Sequence, residues 1–395
     1  MAAKKEKLEN KVESFFSSFA QTDEKISFRF AHEALGEKPP IIHSGSYALD
    51  DSLSCGGYPK GRIIQLYGEP SSGKSLMAML AIKEAQKESK KAMQLFIDAE
   101  QTASPDWMYQ LGIDTSRVVV IDGDDAANGR KCFEMLLGTP KEDPKTHVLK
   151  GKSKEGFFDK VANGELNFNM CVLDSLGQII PPGEDTASVG KLNMAKMATF
   201  LTTTFKKVSL ELSRAQIPFI VINHKRDNLD PYGISHKSSG GNTYFHSLSA
   251  NIYFESIGGK DGRIVDENDN RIGQTIQATI EKSKFGPFPR KCRFKVIFTQ
   301  GIISGAEEIF DLACNYNVIG LPTSKSYEYG DKKWVGRANC ISAIEADESL
   351  QKELLAKIEK ARDSMWEKQK QLQDAKKLEN LDSEESSDIE DTEEE

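Results

Sequence analysis

Apolar runs of strand length alternate with helix-like stretches between residues 62 and 223. The strand-like runs are 62–67, 92–98, 118–121, 169–174 and 218–223. Helices are predicted between them, at 75–90 and at 190–214. Buried strands that alternate with helices are typical of an α/β fold, with a mostly parallel central sheet flanked by helices. Ligands of such a fold are expected beyond the carboxyl ends of the strands.

The pattern changes after residue 245. Shorter apolar runs at 250–255, 275–281 and 292–299 predict an antiparallel extension of the sheet. Residues 139–157 are rich in Lys, Gly and Pro, which predicts a loop or an insertion. Residues 306–345 have the pattern of a small subdomain, and 347–381 that of a charged helix with few apolar positions.

The N-terminal residues 1–20 form a separate helical pattern. Their apolar residues recur at three- and four-residue steps and are Leu8, Val12, Phe15, Phe16 and Phe19. Such a stripe is usually a packing face, and no element close in sequence would cover it. A neighbouring subunit is the candidate partner, and residues 1–40 are therefore predicted to serve in subunit polymerisation.

Negative charge is concentrated at the C-terminus. The formal net charge is −8, and residues 382–395 hold nine acidic residues and no basic one. Without those nine, the 60 acidic residues fall to 51, against 52 basic residues. The body of the protein can therefore present basic patches, while the tail composition predicts disorder.

The cysteines and the N-terminal residues indicate the cellular compartment of the protein. Six cysteines are scattered without a C-x-x-C pair, which disfavours a zinc site and indicates reduced thiols. The N-terminus is charged and polar, unlike a signal peptide. No run approaches the roughly 20 apolar residues of a membrane span. These features predict a soluble, cytoplasmic protein without a membrane partner, in the host cytoplasm if the protein is viral.

Residues 68–75 carry the strongest chemical pattern. They read Gly68, Glu69, Pro70, Ser71, Ser72, Gly73, Lys74 and Ser75, which is G-x-x-x-x-G-K-S between a predicted strand and a predicted helix. Glycines let the backbone wrap around phosphates, and amides at a helix N-terminus point at the anion. Lys74 is expected to reach the β- and γ-phosphates of ATP, and Ser75 to bind Mg²⁺. An ordinary Gly/Ser turn is the structural alternative.

Acidic residues stand at the ends of two further predicted strands. Asp174 ends the fourth strand and fits a Walker B carboxylate, near the Ser75 hydroxyl in the Mg²⁺ shell. A strand-end cap is its structural alternative. Glu100 follows the second strand, where a carboxylate can orient water for in-line attack. Asp98 lies two residues earlier, and spacing alone does not decide between them.

A histidine and two polar segments are expected at the same edge. His224 follows the fifth strand and is placed to contact the γ-phosphate, although a lone histidine is more often structural. The segment 225–243 is long, basic and Gly/Ser-rich, and 181–191 leaves the Walker B strand. Loops of this length are usually functional or disordered. Phosphate contacts are expected from Lys225, Arg226 and Lys237 and from the amides of Gly240 and Gly241. Together these features predict a nucleic-acid site coupled to ATP.

Lys282 and Lys284 lie two residues apart on a predicted strand, so both ammonium groups share one face. A solvated surface pair is the usual interpretation. Contact with the ATP of a neighbouring subunit is the alternative.

Taken in order, these motifs resemble the RecA-type strand-exchange recombinases over roughly residues 41–300. The matching stretches are S-G-S-x-x-L-D at 44–50, G-G at 56–57, K-G-R-I at 60–63, the P-loop, F-I-D-A-E at 96–100, L-D-S at 173–175, I-N-H at 222–224 and S-G-G-N at 239–242. The acidic tail, and Asn223-His224 where bacterial RecA has Asn-Gln, are more similar to UvsX, the branch found in T4-type phages.

The resemblance implies roles for the matched residues. Glu100 becomes the catalytic carboxylate in place of Asp98, and His224 takes the position of the γ-phosphate-sensing glutamine. Adenine would pack on Trp107, with Ser104 nearby.

The resemblance also implies contacts with other molecules. Lys282 and Lys284 would cross the subunit interface to ATP, and 181–193 and 225–241 would be DNA-binding loops. The implied DNA-binding residues are Lys191, Met194, Lys206, Lys225, Arg226, Tyr232, Lys237, Gly240 and Gly241. Histidine at position 224 departs from the glutamine of the family pattern, and this departure falls on the residue that would couple hydrolysis to DNA.

The function implied is that of a DNA-dependent ATPase in recombination, repair and replication. With ATP and Mg²⁺ it would form helical homo-oligomeric filaments on single-stranded DNA and exchange strands with double-stranded DNA. A single-strand-binding protein or recombination mediator is a further expected partner. A ring helicase with the same core, or a regulatory ATP-binding scaffold, is the alternative. The implied organisation is an N-terminal polymerisation segment (1–40), an ATPase core (41–305), a C-terminal subdomain with its helix (306–381) and the acidic tail (382–395).

Overall fold

The structure of the chain is a computed structural model. It describes residues 11–12, 14–15, 38–142, 149–183, 194–227, 236–238, 241–259, 262–286, 290–323 and 325–364. The chain divides into two compact units, Met1–Pro39 and Pro40–Glu395. In the first unit, residues 11–12 and 14–15 are helical. The remainder of the predicted N-terminal helix and the acidic tail lie outside the described residues.

The strands are numbered in chain order along the described residues. They are β1 (Ile41–Ile42), β2 (Tyr58–Pro59), β3 (Ile63–Gly68), β4 (Met93–Asp98), β5 (Val118–Asp122), β6 (Thr139–Glu142), β7 (Leu149–Lys154), β8 (Phe168–Asp174), β9 (Phe219–Asp227), β10 (His236–Ser238), β11 (Ala250–Ser256), β12 (Arg263–Val265), β13 (Arg271–Ser283), β14 (Arg290–Ile297), β15 (Gly301–Ile302), β16 (Gly320–Thr323), β17 (Ser326–Tyr329) and β18 (Lys332–Val335).

The helices are numbered in the same way. They are α1 (Tyr47–Ser52), α2 (Lys74–Glu88), α3 (Pro105–Gln110), α4 (Gly123–Ala127), α5 (Gly129–Leu137), α6 (Phe157–Ala162), α7 (Met194–Ala215), α8 (Gly241–Ser247), α9 (Gly305–Asn315), α10 (Arg337–Ala346) and α11 (348–364). None of the helices in the described part of the chain has the length and apolarity that crossing a bilayer requires.

An eleven-stranded sheet forms the centre of the second unit, in the order β15-β14-β13-β11-β3-β9-β8-β4-β5, with β10 paired to β9 and β12 to β13. The strands from β11 to β5 run parallel, and β13, β14 and β15 add an antiparallel edge. The predicted fold class, an α/β fold with a mostly parallel central sheet, is confirmed.

Helices cover both faces of this sheet because its strands are apolar on both sides. Ile64 of β3 packs in one cluster with α2, whereas Ile63 packs in a second cluster with α5, α6 and α7. This alternation follows from the two-residue period of a strand. A third apolar cluster joins α9, β17 and α10 to Leu350, Leu354 and Ile358 of α11. Because those three residues are four positions apart, they lie on one face of α11, and this face is buried.

Several details differ from the sequence predictions. β11 lies parallel to β3 rather than starting the antiparallel part, and β13 is longer than its apolar run. Pairing direction depends on a distant partner strand, which local periodicity does not reveal. Within the region predicted as a loop or an insertion, β6 and β7 pair as antiparallel strands. β9 continues through Lys225 and Arg226 to Asp227 because its backbone pairs with β10, so the 225–241 segment begins and ends in regular structure.

Candidate nucleotide site

The carboxyl ends of the parallel strands meet at one edge of the sheet. Gly68 at the end of β3 pairs in register with His224 of β9. Asp98 at the end of β4 pairs in register with Asp174 at the end of β8. The predicted polar residues at these strand ends therefore share one edge, where ligands of parallel α/β sheets bind.

Two glycines of the P-loop occupy positions that exclude a side chain. A Cβ on Gly68 would lie 2.1 Å from the Phe254 carbonyl oxygen of the neighbouring strand. Gly73 caps α2 with φ of +95°, and a Cβ there would lie 2.3 Å from Ile276 Cδ1. The G-x-x-x-x-G spacing thus places bare backbone where the strand turns into the helix, which is the geometry that a phosphate cradle requires.

Lys74 and Ser75 begin α2 at the mouth of this loop. Lys74 Nζ donates to the Glu69 carbonyl at 2.7 Å and to that of Gly68 at 3.3 Å. Burial lowers the pKa of Lys74, and the carboxylates of Asp174, Glu100 and Glu69 oppose that shift. The ammonium group therefore lies against the loop, where a phosphate would be held.

Asp174 lies beside Ser75 at the end of β8. Ser75 Oγ donates to Asp174 Oδ2 at 2.7 Å. Burial raises the pKa of Asp174 to about 6, against the hydrogen bond from Ser75. Asp174 Oδ1 and Ser72 Oγ are buried without a hydrogen-bond partner among the described residues. Two buried oxygens of this kind fit a site that completes its coordination with a cation and phosphates.

Glu100, Ser175 and His224 form a hydrogen-bonded cluster next to the P-loop. His224 Nε2 lies 2.6 Å from Glu100 Oε1, and Ser175 Oγ donates to the same oxygen. A carboxylate only accepts hydrogen bonds, so His224 Nε2 carries the proton. The bond from His224, and after it that from Ser175, lowers the pKa of Glu100. No described residue donates to Glu100 Oε2, which leaves that oxygen available to a substrate.

The two acidic residues that spacing left open have different environments. Asp98 is buried, and its carboxylate accepts from the backbone amides of Thr102 and Ala103 at 3.1 and 2.7 Å. It therefore holds the turn after β4. Glu100 lies within that turn and its carboxylate bonds to His224. The geometry favours Glu100 over Asp98 as a residue that contacts substrate.

Trp107 lies in α3 and Ser104 is the N-cap residue of that helix, on the far side of the turn after β4. Ser104 Oγ caps the helix by accepting from the Trp107 amide at 3.3 Å. Trp107 Nε1 donates to the Phe298 carbonyl at 2.6 Å, which fixes the plane of the half-buried indole. A fixed aromatic plane suits stacking on a base.

Lys282 and Lys284 stand at the end of β13. Lys282 Nζ donates to the Phe245 carbonyl at 2.5 Å and lies 4.7 Å from the centroid of the Phe245 ring. Burial, and then the charge of Lys284, lower the pKa of Lys282 to about 8. Lys284 is exposed just beyond the strand. Lys282 thus contacts α8, the helix that follows the predicted second DNA-binding loop.

The structure describes part of the predicted DNA-binding set. Lys206 is exposed on α7, Arg226 is exposed on β9, and Arg226 pairs in register with Lys237 of β10. Lys225 Nζ lies 2.8 Å from Glu69 Oε1 of the P-loop. Met194 and Gly241 are the first residues of α7 and α8. Three residues of the set lie outside the described residues: Lys191, Tyr232 and Gly240.

Two residues of this region escaped the sequence analysis. Ser175 bonds to Glu100, and its position directly after Asp174, the predicted Walker B carboxylate, was the available signal. Gln65 is a buried amide inside the apolar strand that leads to the P-loop. A polar residue in an otherwise apolar buried run was the signal for Gln65.

Fold and site together define an α/β protein with a P-loop nucleotide cradle. The RecA N-terminal domain family matches residues 29–141. Protein RecA of Psychrobacter arcticus is 25% identical over 356 residues, 89% of this chain and 91% of that protein. The mitochondrial DNA repair protein recA homolog 3 of Arabidopsis thaliana is 26% identical over 364 residues, 91% of this chain and 76% of that protein. Protein RecA of Francisella tularensis subsp. novicida is 28% identical over 296 residues, 74% of this chain and 72% of that protein. Residues 29–141 thus match the RecA N-terminal domain family, and the chain is similar to these RecA proteins over most of its length.

Proposed function

We propose that this chain is an ATP-dependent recombinase that assembles on single-stranded DNA and exchanges strands with a homologous duplex. The observation that carries the proposal is the meeting of Glu100 and His224 beside the P-loop, in a homologue of proteins named RecA. Those relatives favour the recombinase over a ring helicase or a regulatory scaffold. Within the family, the Asn223-His224 pair and the acidic tail support the UvsX branch.

The substrate proposed for the P-loop is ATP with Mg²⁺. Lys74 would hold the β- and γ-phosphates, and Ser75 and Asp174 would hold the metal ion. When bound, Mg²⁺ neutralises negative charge on the phosphates. The fixed indole of Trp107 would stack on adenine.

Glu100 is the proposed general base. Its lowered pKa keeps the carboxylate ionised at neutral pH. Oε1 is held by His224 and Ser175, and Oε2 would accept a proton from a water molecule that attacks the γ-phosphorus in line. The bond to the bridging oxygen then breaks, and the products are ADP and phosphate.

DNA is proposed to lie along the basic segments that leave the same edge of the sheet. Lys206, Arg226 and Lys237 would contact backbone phosphates, which are the same for every sequence. Homology would then be tested by base pairing between strands. Lys225, bonded to Glu69 of the P-loop, places one of these cations in direct contact with the nucleotide cradle.

Assembly is proposed to join subunits through two parts of the chain. The apolar stripe of residues 1–20 would pack on a neighbouring subunit, and Lys282 and Lys284 would reach the neighbour's ATP. The tail at 382–395 would modulate DNA access or receive a single-strand-binding protein or mediator.

The test is ATP hydrolysis with and without single-stranded DNA, in the wild type and in Glu100→Gln, with Glu134→Gln as a surface control. We expect DNA to stimulate the wild type and Glu134→Gln. Glu100→Gln should lose a factor on the order of 10² to 10⁴, the contribution of a general base. Filaments on single-stranded DNA and strand exchange are the next observations. Hydrolysis that is indifferent to DNA would reject the recombinase and favour the scaffold.

A further inference from the structure

A buried glutamine lies in the middle of the P-loop strand. Gln65 is fully buried among apolar residues of β3. Its Oε1 accepts from Asn223 Nδ2 and from Tyr244 Oη, both at 2.9 Å, and its Nε2 donates to Asn251 Oδ1 at 2.7 Å. An amide is unfavourable in an apolar core unless such partners are supplied. An aliphatic side chain would suit the position, so core packing alone does not account for the amide.

One partner of Gln65 sets the position of the proposed phosphate sensor. Asn223 is fully buried on β9 and immediately precedes His224. Its Nδ2 donates to Gln65, while its Oδ1 accepts from the His224 backbone amide at 2.9 Å. The orientation of the Asn223 amide, and through it the backbone at His224, therefore depends on Gln65.

A second partner belongs to the helix that follows the proposed DNA-binding segment. Tyr244 lies in α8, three residues after Gly241, and its hydroxyl donates to the same Gln65 oxygen that Asn223 uses. Its buried ring packs edge-on against Phe205 of α7 at a centroid distance of 4.7 Å. A movement of α8 would therefore reach the shared oxygen directly.

The third partner leads to the lysines at the end of β13. Asn251 of β11 donates from Nδ2 to Glu281 Oε2 at 3.1 Å, and the Tyr67 hydroxyl donates to the same carboxylate. Glu281 immediately precedes Lys282. Side-chain hydrogen bonds thus run without interruption from β9 through β3 and β11 to β13.

We propose that Gln65 is a positioning residue that couples DNA on the 225–241 segment to the His224–Glu100 contact. DNA would shift α8, Tyr244 would move the shared oxygen of Gln65, and Asn223 would carry that shift to His224. The inference rests on the proposed function, because it names the path by which DNA regulates the same ATP site. A coupling path is established when substitutions along it change the coupling itself.

Tyr244→Phe tests the path, because it removes one hydroxyl and keeps the packed ring. Tyr58→Phe is the matched control: Tyr58 is also fully buried, and its hydroxyl has no hydrogen-bond partner among the described residues. The measurement is kcat and KM for ATP, with and without oligothymidylate, together with Tm. We expect Tyr244→Phe to retain the DNA-free kcat and the KM, and to lose about threefold to tenfold in stimulation by DNA, the effect of one hydrogen bond. Tyr58→Phe should match the wild type.

The outcomes separate the inference from the proposed function. If oligothymidylate stimulates the wild type and Tyr244→Phe equally, the path through Gln65 is wrong while the recombinase stands. If it fails to stimulate the wild type, both are rejected. A fall in DNA-free kcat in proportion to Tm would assign Tyr244 a purely structural role and reject the path.

A double-mutant cycle with Gln65→Met locates the effect. Methionine keeps the length of the side chain and removes both the Oε1 acceptor and the Nε2 donor. If both residues act through the shared oxygen, the double variant loses no more DNA stimulation than the more affected single variant. Additive losses would show separate routes and reject Gln65 as the shared element. Should Gln65→Met fail to fold, the comparison of Tyr244→Phe with Tyr58→Phe remains decisive.

Discussion

His224 Nε2 lies 2.6 Å from Glu100 Oε1, so the proposed phosphate sensor and the proposed base are bonded to each other. This bond lowers the pKa of Glu100 and thereby weakens the carboxylate as a proton acceptor. A γ-phosphate that drew the His224 proton toward itself would restore the basicity of Glu100. The contact therefore relates the presence of the third phosphate to the strength of the base.

Removal of the His224 imidazole is expected to uncouple hydrolysis from DNA. His224→Ala loses the donor to Glu100, whereas His224→Gln keeps an amide N–H at the same place. We predict that DNA-stimulated kcat falls about tenfold to a hundredfold in His224→Ala, the scale of one hydrogen bond to a charged group, because Glu100 loses the contact that orients it and this loss outweighs its gain in basicity. His224→Gln should retain most of the stimulation. Steady-state ATPase assays check this, and wild-type stimulation of the alanine variant would contradict it.

Loss of the Ser75 hydroxyl or of the Asp174 charge should abolish the benefit of Mg²⁺ for ATP binding. Ser75 Oγ lies 2.7 Å from Asp174 Oδ2, and both side chains are proposed to hold the metal ion. We predict that Ser75→Ala and Asp174→Asn bind ATP in Mg²⁺ about as weakly as the wild type does in EDTA.

Calorimetric titration of ATP with Mg²⁺ or EDTA measures this difference. Ser213→Ala, which removes an exposed hydroxyl of α7, is the control and should resemble the wild type. If Mg²⁺ strengthens ATP binding in both site variants as much as in the wild type, neither Ser75 nor Asp174 holds the metal ion.

Hydrolysis should become sensitive to pH at about 8 through Lys282. Its pKa is lowered to about 8, so the ammonium loses its proton as the pH rises through that value. We predict that DNA-dependent kcat falls between about pH 7.5 and 9, and that Lys282→Arg, which stays charged, removes this fall. Identical pH profiles for the two proteins would exclude Lys282 as the titrating group.

The lowered pKa of Lys282 also determines how the free energy of unfolding changes with pH. The folded pKa lies below the ordinary 10.5, so the unfolded chain binds more protons between about pH 8 and 10.5. The contribution of Lys282 to the free energy of unfolding therefore rises with pH across that window. Urea titrations of the wild type and Lys282→Arg should diverge in this direction.

The ion pair between Lys225 and Glu69 should oppose DNA binding. Glu69→Gln removes the carboxylate that holds Lys225, and Lys225→Gln removes the cation. We expect the first change to tighten and the second to weaken binding of single-stranded DNA by about twofold to fivefold, the scale of an exposed ion pair. Lys225→Gln should also reduce the slope of the logarithm of the binding constant against the logarithm of the salt concentration by about one.

Fluorescence anisotropy at several salt concentrations measures both effects. Glu84→Gln, which alters an exposed ion pair with Lys87, is the control. A shift in the same direction for Glu69→Gln and Lys225→Gln would contradict competition for Lys225.

Deletion of residues 382–395 should strengthen DNA binding. Nine negative charges repel phosphates or mask the basic segments, and low salt amplifies the effect. A tail of equal length in which Ser, Asn and Gln replace the acidic residues should behave like the deletion. Unchanged affinity at low salt would show that the tail has another role.

The sequence predicted the strands of the parallel core well because each is a short run that is apolar on both faces, a signal contained within the run itself. From β3 to β9, each predicted strand is present within a few residues, and Asp174 and His224 lie at the predicted edge. Pairing direction was harder to predict: β11 is parallel to β3, but nothing in residues 250–256 specifies that distant partner.

The network around Gln65 was beyond sequence reasoning for the same reason. Its partners Asn223, Tyr244 and Asn251 are far from it in the chain and become neighbours only when the sheet forms. The choice between Asp98 and Glu100 likewise depended on the hydrogen bonds that Asp98 accepts from backbone amides. Spacing alone does not reveal the direction of a side chain after a turn.

The position of β3 has a consequence for the order in which the protein can fold. Both neighbours of this strand, β9 and β11, come from much later in the chain, and the Phe254 carbonyl of β11 packs so closely on Gly68 that no side chain would fit there. A chain still emerging from the ribosome carries the complete P-loop sequence long before it can close the cradle. Fragments that end before residue 256 should therefore contain every residue of that motif and still fail to bind nucleotide.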